Sequence, residues 1–166
     1  MWPDGACYEG FWKNNMACGQ GRFTHADGDV FDGLWLNDKA NGKGTYTHKN
    51  GTVFTGYWKD DKQHGLGSET NPDGSKYDGN YKEGMKSGQG TYTWADGSSY
   101  QGAWLNNQIH GFGEYRWKDG RYYSGQWKDS QMHGRGILEW PDGRRYQGDF
   151  VKDRKHGYGT YIKANG

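Results

Sequence analysis

The sequence predicts an all-β fold, an elongated single-layer antiparallel array of β-hairpin repeats with about 14 strands, twisted and curved. Three observations predict it. An aromatic residue recurs every 23 residues without a slip, at Tyr8, Phe31, Phe54, Tyr77, Tyr100, Tyr123 and Tyr146. Glycine contributes 30 of the 166 residues, where an ordinary soluble protein carries roughly 7%. Aromatic residues number 28, against 11 for Val, Ile and Leu together. So few aliphatics do not fill a two-layer core, whereas rings bury large areas at low entropic cost. A thin sheet of rings and glycines follows.

The elements of the unit follow in order. Its first strand reads aromatic-x-Gly-x-aromatic, as in Tyr8, Gly10 and Trp12, and alternation puts these three on one face. A polar connection of about six residues comes next, such as residues 128–133. The second strand carries Gly-x-Gly and then rings, so Gly88, Gly90, Tyr92 and Trp94 share a face. Asp-Gly or Asn-Gly closes the unit, eight times from Asp4-Gly5 to Asn165-Gly166. These dipeptides suit a two-residue type I′ turn, in which both central residues take positive φ. Four glycines per unit account for all but Gly84 and Gly166. A ring lying across a bare strand glycine gives them a packing role, and stacked units then touch only their neighbours. Fourteen such strands would span on the order of 65 Å.

The frame Tyr-x-Gly-x-Trp, His-Gly-x-Gly and Asp-Gly at a 23-residue period, clearest from Tyr123 to Gly136 with Asp142-Gly143, resembles the MORN repeat family. The resemblance runs through seven units. It implies an antiparallel sheet that binds partners near membranes or the cytoskeleton, with catalysis left to other domains. The fourth unit departs from the frame, with Tyr81 for Trp and Ser87 for His, and in the strand preceding it Glu69 and Asn71 stand where rings are usual. These departures mark residues 69–87 as a candidate bend or drifted repeat. The whole chain, 1–166, reads as one uncapped array and as a segment of a longer protein.

Charge and chemistry exclude several classes. Lys and Arg number 21 and Asp and Glu 20, leaving a net charge of +1, too little to draw nucleic acid. Cys7 and Cys18 are too few for a disulfide scaffold and point to a reducing compartment. His64, His110, His133 and His156 precede the Gly-x-Gly pairs. Equivalent positions lie about 10 Å apart, whereas zinc needs nitrogens at about 2.1 Å. They are therefore structural, and no metal is expected. None of the Gly-x-Gly pairs continues as a phosphate loop, and no nucleophile, base and acid converge. The expectation is a non-enzymatic module without cofactor.

That module is expected to be cytoplasmic, associated with the cytoskeleton, the cilium included, or with membrane-proximal assemblies. Its partner is a protein segment docked on the aromatic face, carried by Tyr92, Trp94, Tyr115, Trp117 and Trp140, or a second copy of itself as a homodimer. A second contact face is expected at Phe11, Leu34 and Tyr57, which alternation turns the other way. The alternative is a phospholipid-binding module. There, exposed rings meet the interface and Arg121, Arg135, Arg144, Arg145, Arg154 and Lys155 meet anionic headgroups.

Overall fold

The computed structural model describes residues 2–164. Fourteen β-strands and no helix occur among them: β1 (Cys7–Lys13), β2 (Met16–Thr24), β3 (Val30–Leu36), β4 (Lys39–Thr47), β5 (Val53–Lys59), β6 (Lys62–Thr70), β7 (Lys76–Lys82), β8 (Met85–Thr93), β9 (Ser99–Leu105), β10 (Gln108–Arg116), β11 (Tyr122–Lys128), β12 (Gln131–Glu139), β13 (Arg145–Val151) and β14 (Arg154–Ile162). The chain forms two compact units, Met1–Met85 and Lys86–Gly166. Their boundary falls within residues 69–87, the stretch where the repeat departs from its frame.

In unit 1, β1 to β7 pair antiparallel in chain order, and in unit 2 β8 to β14 do the same. The pairing is anchored on glycine opposite glycine: Gly10 on Gly21, Gly33 on Gly44, Gly125 on Gly136. The first ring of the unit lies across that pair. A Cβ built at Gly113 would overlap the Tyr100 ring, and one at Gly136 the Tyr123 ring. Where the ring is Tyr, its hydroxyl donates to the backbone carbonyl three residues on, as from Tyr100 to Ala103 at 2.8 Å and Tyr123 to Gln126 at 2.8 Å. Burial pushes the Tyr100 and Tyr123 hydroxyls well above their ordinary value of 10.0, and Tyr77 to about 12.

The second ring of the unit joins these into ladders. In unit 1 Phe31 meets Trp35 at 5.3 Å and Trp58 at 5.0 Å, both edge to face. In unit 2 Tyr123 meets Trp127 and Phe150 at 5.1 and 5.3 Å in the same manner. Each edge-to-face pair contributes about 0.5–1.5 kcal/mol beyond its buried area. The indole N–H groups are satisfied by glycine carbonyls of the preceding repeat, Trp35 on Gly21 and Trp127 on Gly113.

The structure exchanges the two connections that the sequence suggests. The two-residue type I′ turn is not at Asp-Gly but between the strands of one hairpin. There Asp60 and Asp61 have φ of 48° and 70°, and Asn106 and Asn107 have 50° and 69°. Asn and Asp tolerate this left-handed region better than other side chains, and the sequence reading favoured Gly in the dipeptide instead. Asp-Gly sits in a longer loop. Gly120, at φ 95°, donates to Trp117 while Trp117 donates to Arg121, which is a type I turn closed by a left-handed glycine. Asn165-Gly166 lies outside the described residues.

The tight turns have a second task. The second turn residue receives a backbone N–H from the repeat before it: Ala17 donates to Asp38 at 2.6 Å, Ala40 to Asp61 at 2.7 Å, Lys86 to Asn107 at 2.8 Å and Met132 to Asp153 at 2.7 Å. Each of these turn residues returns its own N–H to the same partner's carbonyl. Gly84 makes only that return bond, to Gln63, because it has no side-chain oxygen to offer.

Candidate aromatic docking face

Alternation leaves a further row of rings on the face of the glycine pairs. Tyr92 and Tyr115 lie on the second strands, and Trp94, Trp117 and Trp140 open the Asp-Gly loops. Four of the five form one stack within unit 2. Tyr92 meets Trp94 at 4.7 Å, Trp94 meets Tyr115 at 5.1 Å, and Tyr115 meets Trp117 at 4.6 Å. Trp140 stands apart from that stack and packs on Tyr161 at 6.2 Å. All five are half-buried, so each keeps an open side. An open cavity of about 360 Å³ runs beneath, lined by Tyr92, Trp94, Tyr115, Trp104 and Trp127.

Cations sit on this row, a feature the sequence reading missed. The Arg121 guanidinium lies 4.7 Å from the Trp117 ring, Arg144 5.0 Å from Trp140, and Lys155 5.0 Å from Trp140. The signal was present as Trp followed four residues later by Arg, a spacing that the three-residue loop brings together. The turn aspartates also hold the arginines at Nε, Asp119 on Arg121 at 2.9 Å and Asp142 on Arg144 at 2.7 Å. Backbone N–H donation from Arg121 and Arg144 holds the Asp119 and Asp142 carboxyls below their ordinary 3.8.

The six cations suggested for headgroups do not form one patch. Arg121, Arg144 and Lys155 lie on the aromatic rows. Arg135 sits across from Asp149 and is 3.8 Å from its carboxylate, and Arg145 pairs in register with Glu139; both belong to the opposite face. Arg154 is exposed at the start of β14.

The opposite face of unit 1 carries Phe11 at 68% exposure, Leu34 at 41% and Tyr57 at 50%, as expected from alternation. Leu66, 62% exposed and paired with Asn80, extends it, and unit 2 carries an exposed Phe112 on its own face opposite its glycine pairs. Both lie on second strands beside the extra residues of a bulge. Sequence reading followed only the first strands and passed over them. Among the described residues no group of three or more His, Cys, Asp or Glu could hold a metal ion. His25 meets Phe23 edge to face at 4.6 Å, and His48 packs tilted on Tyr46 at 4.5 Å.

The fourth repeat departs from the frame in a compensated way. Tyr81 replaces Trp, and its hydroxyl donates to Glu69, which replaces a ring, at 3.2 Å. Asn71, in the Trp94 position, donates to Ser75 and accepts from Thr52.

The family model described as MORN repeat matches residues 8–30, 31–53, 54–76, 77–99, 100–120, 123–144 and 146–166. No curated protein matches the chain. Among solved structures, it is similar to the SAS-4 (dCPAP) TCP domain in complex with a proline-rich motif of Ana2 (dSTIL) of Drosophila melanogaster, at 18% identity and TM-score 0.45, over 78% of this chain and 71% of that one. The TCP10 domain of Danio rerio CPAP is similar at 15% identity and TM-score 0.34, over 86% and 73%. The G-box domain of the microcephaly protein CPAP is similar at 13% identity and TM-score 0.37, over 98% and 95%.

Proposed function

This chain belongs to the MORN repeat family, and from that premise we propose that it is a non-catalytic scaffold that docks a protein segment on the aromatic face. The observation that carries the reading is the stack from Tyr92 to Trp117, whose rings are aligned by the fold yet half open. Rigid aromatic area of this kind dominates binding energy at protein interfaces. Equivalent rings recur about 10 Å apart, which suits an extended or helical segment lying across the strands. The family's habits favour a cytoplasmic setting beside the cytoskeleton or a membrane-proximal assembly. No helix among the described residues is long and apolar enough to cross a membrane.

The test uses the partner captured from a matching cell extract. Trp117→Ala should weaken its binding by at least about 2 kcal/mol. Unchanged affinity in the folded variant would reject the docking face.

The exposed row Phe11, Leu34, Tyr57 and Leu66 favours a second reading, self-association through the opposite face of unit 1. Phe11→Asp with Tyr57→Asp should lower the mass seen by light scattering. A self-associating chain whose mass does not change would overturn it.

A further inference from the structure

Unit 1 holds its own open cavity on the aromatic face, about 310 Å³ in volume. Its floor is the buried Phe31, which both Trp35 and Trp58 meet edge to face. The two indole N–H groups are already bound to glycine carbonyls, so these side chains offer the cavity carbon surface and no donor. Asp38 and Asp61 also line it. One oxygen of each is fixed by the backbone N–H of Ala17 or Ala40, and the second accepts no hydrogen bond among the described residues. Nearby lysines do not neutralise them. Alternation sends Lys39, Lys43, Lys59 and Lys62 to the opposite face.

The corresponding cavity of unit 2 keeps Trp104, Tyr115 and Trp127 in the places of Trp35, Tyr46 and Trp58, has Tyr92 and Trp94 for Phe23 and His25, and differs in charge. Asn107 and Ser130 occupy the turn positions of Asp38 and Asp61, and Lys86, which lines the cavity, stands where unit 1 has Ala17. The units differ in the same sense as a whole: residues 1–85 hold 12 acidic and 9 basic groups, and residues 86–166 hold 8 and 12.

We propose that the unit 1 cavity binds the side chain of an arginine presented by an extended partner segment. A guanidinium is planar and weakly hydrated, stacks on aromatic faces and spreads several N–H donors in a fork. It therefore uses both halves of the lining, the rings and the carboxylates. A quaternary ammonium would leave both carboxylates without a donor, and a lysine ammonium, compact and strongly hydrated, would gain less from the rings. The surplus acid of unit 1 steers a basic segment toward the site. This inference goes beyond the docking role of unit 2; Trp117 has no part in it.

The probe is an acetylated, amidated pentapeptide, Gly-Ser-Arg-Ser-Gly, titrated into the full chain while the indole N–H resonances are followed by NMR. The control replaces arginine by citrulline, its neutral isostere. The arginine peptide should shift the Trp35 and Trp58 signals and leave Trp104 and Trp127 in place. Citrulline should bind at least about tenfold more weakly. Asp38→Asn with Asp61→Asn should likewise cost about tenfold, in a folded protein, because Asn107 already fills this turn position in unit 2. Equal binding of the two peptides would overturn the proposal. So would equal shifts at Trp104 and Trp127, unchanged affinity in the folded double variant, or no shift up to about 10 mM peptide.

Discussion

A tyrosine lying over a glycine is the unit on which the fold rests, and it leaves no room for a side chain. At Gly113 the Tyr100 ring occupies the place of a Cβ. Gly113→Ala should therefore cost about 2–4 kcal/mol in denaturant unfolding, through overpacking and displaced ring contacts. A variant as stable as the parent would remove the packing role assigned to these glycines. The hydroxyl matters less than the ring, since Phe31 and Phe54 hold the same position without one. Tyr100→Phe should cost only about 0.5–1.5 kcal/mol, the worth of the bond to Ala103. The raised hydroxyls also set an alkaline limit. A tyrosine whose folded value exceeds its unfolded one stabilises fully below about 10 and loses that contribution as pH rises toward the folded value. Unfolding free energy should thus begin to fall above pH 10.0 and keep falling to about 12 for Tyr77.

At the scale of the element, the turns decide how one repeat holds the next. Asp61→Ala removes the oxygen that receives the Ala40 N–H and places an alanine at φ 70°; a loss of about 2 kcal/mol follows. Asp61→Asn keeps the acceptor and should melt close to the parent. Gly84 is the one turn whose second residue lacks a side-chain oxygen, so Gly84→Asn should raise stability by about 0.5–1 kcal/mol. No gain, with Asp61→Ala also silent, would show that these bonds do not couple repeats. Asp73 and Asp96 have carboxyls held below 3.8 first by the Ser75 and Ser98 hydroxyls and then by the same residues' N–H groups, and Asp119 and Asp142 by the N–H groups of Arg121 and Arg144. Their contribution is complete above the unfolded value and is lost as pH falls from 3.8 toward the folded values.

The strands were legible because Tyr, Gly and Trp repeat in phase along them, and any strand glycine opposite a ring writes the same signature. The turns were not, because Asp-Gly serves a three-residue loop as well as a two-residue one. The choice depended on whether residues such as Asp60 and Asp61 would accept positive φ. The inter-repeat bond to Asp38 and the arginine over Trp117 were likewise hidden, since both depend on which turn is tight.

For the molecule as a whole, the rings of the candidate site were named from their phase, but phase does not distribute charge between faces. The cations Arg121 and Arg144 proved to be paired with aspartates and stacked on tryptophan, while Arg135 and Arg145 point away from them. Vesicles rich in phosphatidylserine should therefore float little of the chain at physiological salt, and Arg144→Glu with Arg145→Glu should change nothing. Salt-sensitive flotation abolished by that pair would restore the headgroup reading.

We propose that one face carries two ring rows with different work, one holding the sheet and the other open to a partner. Denaturant unfolding of two variants in unit 2 separates them most directly. Tyr123 lies buried across Gly125 and Gly136, so Tyr123→Ala should cost about 3–5 kcal/mol. Trp117 is half-buried at the end of the stack, so Trp117→Ala should cost about 1 kcal/mol. Equal losses from the two would mean that Trp117 belongs to the core and that no docking row exists.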